Sequence, residues 1–126
     1  MSWWQWGIVS GSAVLGALIR LGVSRSLAGL FVGLPFGTLT VNMVGCLAIG
    51  FAWTALEKVA AQEWVRLAII TGGLGSLTTF STFALDVLKL IQSGDILTAL
   101  LYSVGSVIVG VMLVAFGAGL AAYLLQ

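Results

Sequence analysis

The chain has 126 residues, of which 60% are hydrophobic and 7% charged, with a mean hydropathy of +1.18 and a formal net charge of +1. This excludes a soluble domain and indicates an integral membrane protein: a spanning helix takes roughly 20 mainly apolar residues, so four spans and short loops use nearly the whole length. Histidine is absent, Cys46 is the only cysteine, and no basic cluster or P-loop glycine pattern occurs, which argues against a disulfide, a His/Cys metal cluster, nucleotide chemistry and nucleic-acid binding.

A single transmembrane domain over residues 1–126 is expected, with spans at about 4–24, 37–56, 65–91 and 96–125. The segment Met1-Ser2-Trp3-Trp4-Gln5-Trp6 has no Lys or Arg to form a positive n-region, so the first apolar stretch is read as a retained helix. Trp3, Trp4, Trp6, Trp64 and Tyr123 fall near span ends, where amphipathic rings favour the membrane interface. Small residues at helix-contact spacing, Gly7 with Gly11, Ser12 with Gly16 and Ser106 with Gly110, are expected to let backbones approach closely in lipid.

Arg20 lies late in the first span, where its side chain either snorkels to the interface or turns inward as a fixed positive charge that attracts an anion. Pro35 marks the start of the second span. Asn42 follows, with Thr38 four residues before it and Cys46 four after it on the same face. An amide at that depth is costly and therefore a candidate for function. Two readings stay open: a hydrogen bond between helices that holds a dimer together, or an NH2 that donates to an anion.

The third span carries Gly72-Gly73-Leu74-Gly75-Ser76-Leu77-Thr78-Thr79-Phe80-Ser81-Thr82-Phe83, which puts glycines and hydroxyls inside a membrane-length segment. A break is expected near residues 75–79, because irregular backbone at that depth survives only where protein or a water-filled cavity satisfies it. Phe80 and Phe83 are three apart and so share a face of the resumed helix. Asp86 and Lys89 are close enough in sequence to pair. In the fourth span Tyr102, Ser106 and Gly110 form one stripe, which serves either as a ladder of hydroxyl donors for a dehydrated anion or as ordinary helix packing.

Orientation follows the Lys/Arg bias of short loops. Lys58 and Arg66 lie on the side of the termini, against Arg20, Arg25 and Lys89 on the other. So small a bias predicts dual topology, with the same chain inserted both ways and paired as an antiparallel homodimer. Ser81 has no candidate base and the apolar cores hold no paired acids, so neither an enzyme nor a proton relay is expected.

The combination of Gly37-Thr38-Leu39-Thr40-Val41-Asn42 with the Thr78-Thr79-Phe80-Ser81-Thr82-Phe83 segment and Leu18-Ile19-Arg20 resembles the Fluc (CrcB) family of bacterial fluoride channels, over essentially the whole chain. The resemblance implies an all-α membrane protein with four transmembrane helices, a broken third helix and an antiparallel dual-topology homodimer in the bacterial inner membrane. It implies passive fluoride export through two parallel pathways, and fluoride resistance as the benefit. Phe80 and Phe83 match the phenylalanine box, Asn42 the pore asparagine, and Thr38 lies one turn before it. Ser81, Thr82, Tyr102 and Ser106 match a polar track, and Arg20 a vestibule arginine. The backbone carbonyls of Gly75 and Thr78 would hold a structural sodium ion at the dimer centre. Gly110 and Val114 depart from a pattern in which Ser and Thr occur, and Asp86 stands where Glu is common. The rival readings are a small dual-topology multidrug exporter, which needs an acidic residue in the first span where this chain has none, and a structural subunit, which does not require the broken segment.

Overall fold

In lipid the backbone has no water to pair with, so long apolar runs close their hydrogen bonds internally as helices. The computed structural model describes residues 1–29 and 33–126. Its elements are α1 (Trp3–Leu27), α2 (Phe36–Lys58), α3 (Glu63–Arg66), a π-helical segment (Leu67–Leu74), α4 (Gly75–Leu77), α5 (Phe80–Gln92) and α6 (Ile96–Leu124). Four stretches are long and apolar enough to cross a membrane: Trp3–Leu27, Phe36–Lys58, Glu63–Gln92 and Ile96–Leu124. The chain is a multi-pass, all-helical membrane protein with one interrupted span.

Local chemistry explains the ends. The Pro35 carbonyl accepts from Leu39 N at the start of α2, where a residue without an N–H loses nothing. Gly94, at φ +84°, closes α5, with Asp95 N donating back to the Leu90 carbonyl. Asp95 then caps α6 by accepting from Thr98 N through Oδ1 at 3.2 Å. On the side of the termini, Lys58 Nζ donates to the carbonyls of Ala122 (3.0 Å) and Leu125 (3.3 Å), and Arg66 donates to those of Ala61 and Leu56. Lys58 therefore satisfies carbonyls at the end of α6, and Arg66 adds a second donor to the Leu56 carbonyl, which already accepts from Ala61 N.

Consecutive spans run antiparallel, which makes alternate spans parallel. α1 runs beside the third span, with Trp4 edge-on to Trp64 at 5.3 Å between ring centroids. α2 runs beside α6, and these two make the closest backbone approach: a Cβ on Gly50 would collide with the Val114 carbonyl, and one on Gly117 with the Leu47 carbonyl. Van der Waals contact of this kind replaces the hydrophobic driving force that lipid abolishes. Of the small pairs expected from sequence, Ser12 and Gly16 do pack, against Gly72 and Gly73 of the third span. Gly7 and Gly11 have no neighbour within 4 Å of the Cβ position, so they do not serve as contacts within the chain.

The core of a single chain is thin. Among large side chains Val41 (2% exposed) and Tyr102 (4%) are buried, while Phe80 stands 81% exposed.

Two sequence expectations are corrected. The break falls within the expected residues 75–79, at Thr78 and Thr79, both extended (ψ 156° and 116°), but Gly75, expected to take part in it, remains helical, because glycine permits a break without imposing one. Asp86 and Lys89 do not pair among the described residues: Asp86 Oδ2 is buried without a hydrogen-bond partner.

Candidate functional site

The break follows from competition for backbone donors. In a continuous helix Thr79 N would donate to the Gly75 carbonyl four residues back; here it donates to Oδ1 of Asn42 at 2.8 Å, and Asn42 Nδ2 returns a bond to the Thr79 carbonyl at 3.2 Å. The side-chain amide of α2 thus pairs with both backbone groups of one residue, as a neighbouring strand would. Thr82 N would likewise reach the Thr78 carbonyl, but it donates to Thr79 Oγ1 at 3.2 Å, which caps α5. The hydroxyls of Thr82 and Ser81 lie 3.1 and 3.3 Å from the same Oγ1. The carbonyls of Gly75 and Thr78 are therefore released from their helical donors, whereas that of Ser76 accepts from Arg20 Nε at 3.1 Å. Arg20 turns inward, the second of its two expected fates, and places a cation at the end of α4 where helix carbonyls converge.

Close packing holds the break in place. A Cβ on Gly45 would overlap Thr78 Cγ2, and one on Gly16 would overlap the Gly73 carbonyl and come within 3.1 Å of Leu77 N. Thr78 also folds its hydroxyl back onto the Leu74 carbonyl at 3.1 Å.

Beyond the break, aromatic rings form a chain. Phe80 and Phe83 have centroids 5.8 Å apart at 40°, and Phe83 and Tyr102 lie 5.2 Å apart at 47°. Asn42, Thr79, Phe80, Phe83 and Ser106 line a hollow of about 300 Å³. A second hollow of about 390 Å³ runs along α6 past Thr98, Tyr102 and Ser106. Among the described residues the Tyr102 hydroxyl and Ser106 Oγ are buried without hydrogen-bond partners, as is Asp86 Oδ2. A buried hydroxyl with nothing to bond is costly unless a ligand completes it.

Of the residues singled out in the sequence, Asn42, Phe80, Phe83 and Ser106 come together on the first hollow, and Tyr102 joins Ser106 on the second. Ser81 is exposed and Thr82 half-buried; both are tied to Thr79 and line neither hollow. Thr38 is 7% exposed, one turn before Asn42, and also lines neither. Sequence reasoning missed Thr79, whose backbone is the partner of Asn42, and Met43, which lines both hollows. The run of adjacent threonines was the only signal for the first, and an apolar residue in an apolar helix gives none for the second.

Residues 8–118 match the family described as "CrcB-like protein, Camphor Resistance (CrcB)". The chain belongs to this CrcB-like family. Among CrcB-like relatives, a protein of Salinibacter ruber is 44% identical over 121 residues, covering 95% of this chain and 90% of the relative. One from Chloroflexus aurantiacus is 42% identical over 110 residues (86% and 87% covered), and one from Nitratidesulfovibrio vulgaris is 41% identical over 117 residues (90% and 93%). Each of these three is named "Fluoride-specific ion channel FluC".

Proposed function

We propose that the protein is a passive, fluoride-selective channel rather than an enzyme, and that it exports cytoplasmic fluoride across the bacterial inner membrane. The observation that carries this reading is the pair of buried, unpartnered hydroxyls, Tyr102 and Ser106, on hollows that continue to Asn42 and the Phe80–Phe83 rings. The names of relatives up to 44% identical supply the ion.

Fluoride is small and strongly hydrated, so a path must replace water without holding the ion too tightly. Asn42 Nδ2 has two N–H groups and spends one on Thr79, which leaves the other for an anion in the first hollow. The edges of Phe80 and Phe83 add weak positive potential, and Ser106 and Tyr102 continue the line of donors. Arg20 attracts anions toward the mouth while its Nε anchors Ser76. Ser81 and Thr82 extend the polar surface beside the break.

The working unit is an antiparallel dual-topology homodimer with two pathways. A second, inverted copy covers the exposed Phe80 and the thin apolar faces that one chain leaves open. The Gly75 and Thr78 carbonyls of both copies would then hold a sodium ion, and hard oxygen donors freed from the helix ladder fit a small hard cation. Such an ion supplies a fixed positive charge between the two pathways.

The test is fluoride efflux from liposomes containing the purified protein, with chloride as the control, alongside a C-terminal reporter read from both sides of the membrane. Fluoride-tight vesicles would overturn the channel reading; a reporter signal from one side alone would overturn dual topology.

A further inference from the structure

We propose that Met43 is the apolar constriction of the pathway: a movable thioether partition between the two hollows that governs throughput and chloride exclusion. This inference rests on the fluoride-channel reading. Both hollows are lined by Met43 on the α2 side and by Ser106 on the α6 side. The first hollow has the remaining N–H of Asn42, and the second has Tyr102 and Thr98. An ion moving from one set to the other passes Met43, the α2 residue that both hollows share, whose side chain donates no hydrogen bond.

The side chain suits this position. Methionine is unbranched, with three rotatable bonds, and adapts to irregular space. Its room to move comes from Gly110, one turn beyond Ser106: a Cβ there would stand 3.9 Å from Met43 Cε and 3.3 Å from Cys46 Sγ. The terminal methyl thus rests beside bare backbone, and Gly110, which departs from the serine expected in the polar track, acquires a steric role. Between the two donor sets the ion faces the Ser106 hydroxyl on one side and an apolar thioether on the other, a surface that admits water poorly.

The test compares two substitutions of similar volume and opposite polarity. Met43→Gln wets the gap, so fluoride efflux from liposomes should rise several-fold and a chloride flux should appear. Met43→Leu keeps the gap dry but stiffens it, so fluoride efflux should fall several-fold with chloride still excluded. Gly110→Ala approaches the same gap from α6, pressing on Cys46 Sγ and filling the space beside the Met43 methyl, and should also slow fluoride. Each variant is first checked for elution as the parent assembly. If Met43→Gln and Met43→Leu assemble and match the parent in fluoride and chloride fluxes, the partition is overturned while the channel reading stands. If the parent itself carries no fluoride, both fall together.

Discussion

Replacing Asn42 with alanine removes two hydrogen bonds at once, from Thr79 N at 2.8 Å and to the Thr79 carbonyl at 3.2 Å, and leaves both backbone groups unpaired inside a membrane span. An abandoned buried polar group costs about 1–3 kcal/mol in soluble proteins, whereas hydrogen bonds between membrane helices average about 0.6 kcal/mol, because the unfolded reference also finds partners in lipid. Asn42 is half-buried, so the low end applies to part of the loss, and the expected destabilisation is about 1–3 kcal/mol. Reversible unfolding in mixed micelles by increasing denaturing detergent measures this directly. Fluoride efflux by the same preparation should be lost, because the clamp that aligns the break and the free N–H disappear together. An alanine variant as stable as the parent, with full flux, would refute the clamp and with it the account of why the third span is broken.

Tyr102→Phe removes a buried hydroxyl that has no protein partner, so stability should be unchanged or slightly raised while fluoride flux falls; a destabilised variant with normal flux would make that hydroxyl structural. Phe80→Ile should abolish efflux yet leave the chain as resistant to unfolding as the parent in the same micelles, since the ring is 81% exposed in the single chain and makes little of its core. Gly117→Ala forces a methyl onto the Leu47 carbonyl, and the loss of α2–α6 contact should cost about 1–3 kcal/mol in the same unfolding measurement.

Hydropathy and spacing were enough to expect four apolar spans and an interruption of the third, and they singled out Asn42, Arg20, Phe80 and Phe83 as candidates near it. A sequence shows which groups can donate but not which group receives, so the pairing of Asn42 with Thr79, 37 residues away, was hidden. The same limit hid the cations: Lys58 and Arg66 counted as topology signals, and in the fold they also donate to helix-end carbonyls. Gly75 misled because its permissiveness was taken for a break, whereas the interruption comes from Thr79 Oγ1 and Asn42 taking the donors of Thr82 and Thr79. Met43 was invisible because its role depends on lying between two hollows rather than on its chemistry.

The π-helical stretch from Leu67 to Leu74 sets the rotational phase of everything after it. A wider coil takes up extra chain per turn, so residues downstream emerge at an azimuth that an α-helix of equal length would not reach. Shortening this stretch by one residue would change the rotational phase at which Thr78 and Thr79 meet α2, and with it the aim of Phe80 and Phe83. Eight residues ahead of the break therefore act as a spacer whose length is quantised, and a change of one would misaim the aromatic pair without touching it.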